Sequence, residues 1–235
     1  MNLTTKKPTC FITGCSGYIG SHIATILTKQ NWQILGVSRN KDMILKFPHI
    51  NWLIGDLTDL VSIESLLNKI DEGITFDAII HCAGISPDQT IFNLEPIPFE
   101  TGLSLNFLSV QKINQHLIKR MNKNSSIIHF GSRIASHGNL GQIAYGTSKG
   151  ILADYTKLLA AEIGKTNITV NLILPGVHPS QILGQYKNQI IENATNESLL
   201  HRLTHIDDVT NAVLYLLQAR SVSGQVFAIE SRLIE

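Results

Sequence analysis

Near its start the chain contains the stretch Thr9-Cys10-Phe11-Ile12-Thr13-Gly14-Cys15-Ser16-Gly17-Tyr18-Ile19-Gly20, in which an apolar run leads into closely spaced glycines. This pattern predicts a buried strand at 9–13 and a helix at 18–29. Glycines in a turn between strand and helix let backbone amides approach a pyrophosphate, which the helix N-terminus attracts. The stretch therefore predicts a nucleotide site at this turn. Its predicted contact residues are Gly14, Ser16, Gly17, Tyr18, Ile19 and Gly20.

The rest of the chain continues the alternation of strands and helices. Further strands are predicted at 32–38, 51–54, 76–83, 126–131, 168–174 and 225–229, and further helices at 60–70, 100–121, 142–164 and 206–219. Near-continuous apolar strands separated by helices indicate a parallel sheet covered on both faces. Right-handed crossovers make such a sheet doubly wound. We therefore predict the α/β class, as a doubly wound Rossmann fold with a parallel sheet of about seven strands.

Length and composition predict a single domain over residues 1–235, since the chain has 235 residues and no internal repeat. Residues 175–204, rich in Gln and Asn, interrupt the alternation, and we interpret about 176–204 as a mobile lid over a substrate. The formal net charge of +1 gives no reason to expect nucleic acid or an anionic membrane as partner. The polar N-terminus, the lack of a long apolar stretch and three cysteines without a Cys-x-x-Cys pair predict a cytoplasmic protein.

The end of the second predicted strand indicates which dinucleotide is bound. An NAD site usually places Asp or Glu there, to accept hydrogen bonds from the ribose hydroxyls. This chain has Ser38-Arg39 instead, and Arg39 can bind a 2′-phosphate with two hydrogen bonds. Asp42 is near enough in sequence to keep NAD open. The sequence therefore favours NADP(H) over NAD(H).

Two further segments follow predicted strands and should meet the nucleotide, because the carboxyl ends of parallel strands lie at one edge of the sheet. Asp56 follows the third strand and could accept a hydrogen bond from the adenine amino group, although it is equally typical of a helix cap or a loop. Ala83 and Gly84 follow the fourth strand.

A pair of residues on the predicted helix 142–164 indicates acid–base chemistry. Tyr145 and Lys149 are four positions apart and therefore share one helix face. An ammonium beside a phenol lowers the pKa of the tyrosine towards neutrality, so that it can donate or accept a proton at physiological pH. On its own such a pair is also typical of a solvated helix face.

Taken together, these motifs resemble the short-chain dehydrogenase/reductase family over essentially the whole chain. The matching residues, in the family's order, are Thr13-Gly14, Gly17, Gly20, Asp56-Leu57, Cys82-Ala83-Gly84, Asn106, Ser132, Tyr145, Lys149 and Pro175-Gly176. Ser132 precedes Tyr145 by 145 − 132 = 13 positions, the usual interval in single-domain members. The coincidence of many weak motifs is much more specific than any one of them.

The resemblance implies an NADP(H)-dependent oxidoreductase that interconverts a carbonyl and an alcohol by hydride transfer. The implied substrate is a small molecule such as a 3-oxoacyl thioester or another small ketone. Tyr145 would be the general acid, and Lys149 would hold the nicotinamide ribose and lower the pKa of Tyr145. Ser132 would bind the carbonyl oxygen, and Asn106 would hold a water that leads to Lys149. Dinucleotide contacts are implied for Ser38, Arg39, Asp56, Leu57, Ala83, Gly84, Tyr145, Lys149, Pro175, Gly176, His178 and Ser180.

Several features depart from the family pattern. The spacing of Gly17 and Gly20 is that of the extended branch, so a nucleotide-sugar epimerase, dehydratase or reductase remains an alternative. Only 235 − 149 = 86 residues follow Lys149, which is short for that branch. A non-catalytic NADP(H)-sensing protein is the other alternative. The last strand lacks the usual double glycine after it, so a homodimer is expected as much as a homotetramer.

Histidines and cysteines give no sign of a metal site. His81-Cys82 replaces the paired asparagines usual before Ala-Gly in single-domain members. His81 and His129 lie on predicted buried strands, where satisfied core histidines are more common than ligands. Because no cluster has metal-ligand spacing, we predict no catalytic metal.

Overall fold

A parallel sheet of seven strands forms the centre of the computed structural model, which describes residues 7–233. The strands are β1 (Thr9–Thr13), β2 (Gln33–Ser38), β3 (Asn51–Ile54), β4 (Phe76–His81), β5 (Met121–Phe130), β6 (Ile168–Pro175) and β7 (Val226–Ile229). Their order is β3-β2-β1-β4-β5-β6-β7, with every neighbouring pair parallel. Successive strands β1 to β3 extend the sheet towards one edge, and β4 to β7 extend it towards the other. The switch lies between β1 and β4, and it places a ligand crevice at their carboxyl ends. The predicted doubly wound fold is confirmed.

Helices cover both faces of the sheet. They are α1 (Tyr18–Lys29), α2 (Met43–Lys46), α3 (Leu60–Leu67), α4 (Pro96–Leu103), α5 (Ser109–Leu117), α6 (Ile134–His137), α7 (Ile143–Ile163), α8 (Lys187–Glu197) and α9 (Ile206–Gln218). Successive strand residues point to opposite faces, so Cys10 and Ile12 pack in the core with α1 and α9. Phe11 between them packs in the core with α3, α5 and α7. The two apolar cores hold the carboxyl ends of the strands in place.

The predicted helix at 100–121 is wrong in its bounds and in its continuity. The helix begins earlier, at Pro96, a residue favoured in the first turn. A π-helical turn, Ser104–Leu108, separates α4 from α5, and α5 ends at Leu117. Arg120 then donates hydrogen bonds to the carbonyls of Ile70, Asp71 and Ile74, contacts across 46 to 50 positions that the local sequence pattern does not carry.

The fifth strand also begins five positions before the predicted residue 126, at Met121. Its pairing with β4 shifts register between Phe76 and Ala78. Asn124 has a positive φ of 62°, which interrupts the regular strand conformation. A polar segment with such a residue lacks the apolar pattern of a buried strand, so the sequence predicted only its apolar second half.

The segment at 176–204, predicted as a lid, is partly helical. It contains the 3-10 helical residues Gln181–Tyr186 and then α8, of which only Ala194 is buried. Among residues 7–233, no helix is long and apolar enough to cross a membrane.

Candidate active site

The turn between β1 and α1 is built around glycines that have no room for a side chain. Gly14 has φ +64°, and a Cβ there would lie 2.6 Å from the Ala83 nitrogen. A Cβ at Gly20 would lie 2.3 Å from the Gly14 carbonyl oxygen. Helix α1 begins after Gly17 with no side-chain cap and no acidic residue in its first turn. Its positive end is therefore left for an anion such as the pyrophosphate of a dinucleotide, and the turn fits that group.

Tyr145, Lys149 and Ser132 converge on one cavity of about 460 Å³ at the carboxyl end of the sheet. Ser132 follows β5, and its hydroxyl hydrogen-bonds Tyr145. The Lys149 ammonium lies 5.9 Å from the centroid of the Tyr145 ring. It donates a hydrogen bond of 2.7 Å to the carbonyl of Phe130. The structure thus brings together a phenol, a hydroxyl and an ammonium, three side chains that the sequence analysis singled out.

The pKa of Tyr145 moves in the direction opposite to the prediction. Burial raises the pKa of Tyr145, and the hydrogen bond from Ser132 lowers it only in part. Burial also lowers the pKa of Lys149 to about 8. Because Lys149 is itself removed from water and bonded to Phe130 rather than to the phenol, its charge does not dominate at Tyr145.

Asn106 lies in the π-helical turn and is completely buried. Its Oδ1 accepts from the Ile85 amide at 2.9 Å, and its Nδ2 donates to the Ile85 carbonyl and to the Ser148 hydroxyl, each at 2.9 Å. The side chain is thus bonded to the loop after β4 and to α7. A Cβ at Gly84 would meet both Asn106 Oδ1 and Lys149 Nζ, at 3.3 and 3.5 Å. Asn106 therefore lies beside the lysine but behind the cavity wall.

Arg39 and Asp56 lie at the carboxyl ends of β2 and β3, outside this cavity. Arg39 Nη1 is 3.9 Å from Asp56 Oδ2, and the two side chains are 69% and 44% exposed, respectively. Partial burial raises the pKa of Asp56, but hydrogen bonds from Thr58 and the nearby Arg39 lower it overall. Ser38 and Leu57 are buried beside them. These four residues form the edge of the sheet that a nucleotide in the crevice would reach next.

The segment after β6 returns to the glycine turn. His178 Nδ1 donates to the Gly176 carbonyl at 2.7 Å, and the His178 ring lies 5.7 Å from the ring of Tyr18. Burial lowers the pKa of His178. Its Nε2 is buried without a partner in residues 7–233. The structure thus brings together Ile19, Gly84, Ser132, Tyr145, Lys149, Pro175, Gly176, His178 and Ser180 around one cavity.

Four charged residues of the cavity were not predicted. They line it from the loop after β4, the loop after β5, the end of α8 and the residues after β7, and they are Asp88, Arg133, Glu197 and Arg232. Arg133 carried a sequence signal, since it directly follows Ser132. Glu197 and Arg232 carried none.

Two histidines predicted as satisfied core residues lie in a buried polar network, but the prediction holds only in part, because His81 Nδ1 is buried without a hydrogen-bond partner among residues 7–233. His81 Nε2 lies 2.9 Å from Asn114 Oδ1, and Asn114 Nδ2 lies 3.2 Å from His129 Nε2. His129 Nδ1 is 2.8 Å from the Thr156 hydroxyl. Burial lowers the pKa of His81 to about 4 and that of His129 well below its usual value. Both imidazoles are therefore neutral in the folded protein.

We expect this network to make stability fall with acid. Both histidines have folded pKa values below the unfolded value, so the unfolded state binds more protons and stability is lost as the pH falls below about 6.5. Urea unfolding should show a loss of roughly 2 kcal/mol between about pH 6 and about pH 5. His81→Asn should flatten this dependence, while His49→Gln, at an exposed position, should not. An unchanged slope in His81→Asn would contradict the prediction.

Fold and cavity together define a class of protein, a dinucleotide-binding oxidoreductase of the doubly wound type. A family model described as enoyl-(acyl carrier protein) reductase matches residues 15–231. The chain belongs to the short-chain dehydrogenase/reductase family. It is an NAD(P)-dependent oxidoreductase that acts on a carbonyl or the corresponding alcohol.

Individual relatives cover nearly all of the chain. It is 29% identical over 226 residues to a 3-oxoacyl-(acyl-carrier-protein) reductase FabG of Buchnera aphidicola, with 92% of each chain covered. A short chain dehydrogenase family protein of Francisella tularensis superposes with a TM-score of 0.85 at 23% identity, covering 96% of this chain and 98% of that one. A 4-hydroxyisoleucine dehydrogenase complexed with NADH superposes with a TM-score of 0.89 at 22% identity, with the same coverage. No cluster of His, Cys, Asp or Glu in the described part of the chain could hold a metal ion.

Proposed function

We propose that this protein is an NADP(H)-dependent reductase of small ketones, related in its chemistry to 3-oxoacyl reductases. The observation that carries the proposal is the convergence of Ser132, Tyr145 and Lys149 on one cavity beside the glycine turn. The similarity to a 3-oxoacyl-(acyl-carrier-protein) reductase supports the 3-oxoacyl class. The direct test is the turnover with NADPH of small ketones, including a 3-oxoacyl thioester and the corresponding free 3-oxo acid, measured as the loss of nicotinamide absorbance.

Each catalytic residue has a distinct role in this proposal. When bound, the dinucleotide supplies a hydride, two electrons with one proton, to the carbonyl carbon and is oxidised. Tyr145 donates the proton that the carbonyl oxygen needs to become a hydroxyl. Ser132, already bonded to Tyr145, donates a hydrogen bond to the same oxygen and stabilises its developing charge. Lys149 holds the ribose hydroxyls and carries positive charge near Tyr145, and Asn106 positions the loop at Ile85 and helix α7 around it.

The dinucleotide would lie along the carboxyl edge of the sheet. The amides of the glycine turn at residues 14–20 would bind its pyrophosphate, and Asp56, Leu57, Ala83 and Gly84 would border the adenosine. Pro175, Gly176, His178 and Ser180 would border the nicotinamide half. Arg39 would bind the 2′-phosphate, since it is exposed at the end of β2 and only loosely paired with Asp56, at 3.9 Å. Ser38, buried below it, supports the loop by accepting from the Asn40 amide at 3.1 Å.

We expect Arg39→Ala to weaken NADPH binding by roughly tenfold to a hundredfold, because a guanidinium–phosphate contact contributes about 1.5–3 kcal/mol. NADH binding should change by less than about threefold, since NADH has no 2′-phosphate. Titrations followed by nicotinamide fluorescence measure both affinities. Lys41→Ala, at an exposed neighbouring position, is the matched control. Equal losses for the two dinucleotides, or a wild-type preference for NADH, would overturn the role of Arg39.

The domain organisation, the lid, the cellular location and the assembly of the protein complete the proposal. Residues 1–235 form one domain, and the segment at 176–204 acts as a lid, since α8 is mostly exposed and lies at the cavity. The protein works in the cytoplasm as a homodimer or homotetramer. Sedimentation at equilibrium distinguishes the two assemblies from a monomer.

A further inference from the structure

One end of the cavity carries a compact group of charged side chains that the proposed chemistry does not use. Two are arginines, Arg133 and Arg232, here called the arginine pair, and two are carboxylates, Glu197 and Glu230. Arg133 directly follows Ser132 in the sequence. Arg133, Glu197 and Arg232 line the same cavity as Ser132 and Tyr145. The arginine pair therefore faces the space in which a substrate would lie.

Glu197 is shared between the two guanidinium groups. Its Oε2 lies 3.4 Å from Arg133 Nη1 and 3.7 Å from Arg232 Nη1. The side chains of the arginine pair are only 17% and 13% exposed, whereas that of Glu197 is 54% exposed. The two cations belong to the cavity wall, and the carboxylate approaches them from the solvent side.

Other contacts fix the arginine pair in place. Arg133 Nε donates to the Leu233 carbonyl at 3.3 Å. Arg232 Nε donates to Glu230, whose side chain is 2% exposed. Because these contacts do not involve Glu197, the guanidinium groups would keep their positions if Glu197 moved away. Their Nη groups would then present a preformed fork that fits a carboxylate.

Glu197 is the partner of the two arginines that a bound anion could displace. It is the last residue of α8, where the partial negative charge of the helix end repels a carboxylate. Helix α8 itself buries only Ala194, so little packing opposes its movement. With Glu197 present the two arginines and two glutamates sum to 2 − 2 = 0, and without it to 2 − 1 = +1. A single monoanion restores neutrality, which favours a carboxylate over a doubly charged phosphate.

We propose that Arg133 and Arg232 form a subsite for a substrate carboxylate, whose place Glu197 takes in this structure. This inference rests on the proposed reductase function and narrows its substrates to oxo acids. The reaction is then oxo acid plus NADPH plus a proton to hydroxy acid plus NADP⁺. Ser132 and Arg133 are consecutive and line the same cavity as Arg232, so the carbonyl and the carboxylate would belong to one substrate molecule.

The first test compares acids with their uncharged esters. The substrates are acetoacetate and 4-oxopentanoate, each against its methyl ester, with NADPH. For the better acid, kcat/KM should exceed that of its ester by roughly tenfold to a hundredfold, the contribution of a hydrogen bond to a charged group. Arg133→Met and Arg232→Met should bring this ratio to about one through a higher KM for the acid. Arg220→Met, at an exposed position that lines neither this cavity nor the small one beside Arg232, should leave the ratio unchanged.

A second variant tests the role of Glu197. Glu197→Gln removes the internal competitor's charge and should lower the KM of the acid by about threefold to tenfold without altering that of the ester. Glu192→Gln, exposed on the same helix, is the matched control and should change neither value. A higher or unchanged KM for the acid in Glu197→Gln would contradict the displacement of Glu197.

A binding measurement separates this inference from the proposed function. Thermal unfolding with NADP⁺ is followed in butanoate and in butanamide at equal ionic strength, and only butanoate should raise the midpoint, by an effect lost in Arg232→Met. If this shift occurs but none of the four substrates is reduced, the reductase proposal is wrong and the subsite stands. If acids and esters are reduced equally and butanoate has no specific effect, the subsite is wrong and the reductase proposal stands. Absence of both effects overturns both.

Discussion

Replacing Tyr145 by Phe is expected to lower kcat by about 10³-fold, because general acid catalysis contributes roughly 10²–10⁴-fold. The substitution removes only the phenolic oxygen, the atom that the hydrogen bond from Ser132 reaches. The ring, which lies 5.9 Å from the Lys149 ammonium, stays in place. Affinity for NADPH should therefore stay within about twofold of wild type, because Tyr145 is one of many implied dinucleotide contacts and the others are unchanged.

Tyr155→Phe supplies the matched control on the same helix. Tyr155 is also largely buried, and its hydroxyl accepts from Asn114 Nδ2 at 3.5 Å, away from the cavity. Its loss should leave kcat within about twofold of wild type. Retained turnover in Tyr145→Phe would remove Tyr145 from the mechanism. Loss of turnover together with loss of NADPH binding would point instead to damage at the nucleotide site.

The second large effect is expected for Gly20→Ala. The new Cβ would lie 2.3 Å from the Gly14 oxygen and 2.8 Å from its carbonyl carbon, both backbone atoms that cannot turn aside. Helix α1 must then move away from the turn, which destabilises the fold by about 1–3 kcal/mol, the usual result of overpacking. The same movement misaligns the amides that meet the pyrophosphate. We expect NADPH affinity to fall by about a hundredfold or more.

Gly150→Ala distinguishes this steric effect from the general effect of replacing a helical glycine. Gly150 lies within α7, and nothing lies within 4 Å of a Cβ built there. Alanine at this position should raise the free energy of unfolding by about 0.5–1 kcal/mol, because it restricts the unfolded chain. Urea unfolding and fluorescence titration of both variants provide the measurement. Equal stability of Gly20→Ala and wild type would mean that the turn is not close-packed.

Some of the site could be predicted because its signals are local. The bounds of β1 and α1 agree with the prediction at every residue, since the apolar run and the glycines lie within twelve consecutive positions. The pairing of Tyr145 and Lys149 follows from helix periodicity alone. Ser132 could be placed because it ends a strand whose carboxyl end faces the same crevice.

Other features of the site depend on contacts between distant parts of the chain. The predicted role of Asn106, to hold a water that leads to Lys149, stays a prediction. The structure shows that its side chain bonds Ile85 and Ser148, which are 21 and 42 positions away. The pKa of Tyr145 rises because surrounding segments bury it. The spacing of four residues between Tyr145 and Lys149 does not reveal how deeply the phenol is buried. The expectation that an ammonium lowers the pKa of a neighbouring phenol also could not include the hydrogen bond that Lys149 donates to the carbonyl of Phe130.

The sequence by itself therefore determined the seven strands in their chain order, the glycine turn and the position of Tyr145 and Lys149 on one helix face, because periodicity and turn chemistry act over a few neighbouring residues. The tertiary structure alone decided the π-helical turn that contains Asn106, the direction of the Tyr145 pKa shift and the arginine pair of the cavity. Arg133 and Leu233 are in contact although 100 positions separate them. Burial and ion pairing depend on many such long-range contacts. These contacts form only when the folded sheet brings the carboxyl ends of its strands together.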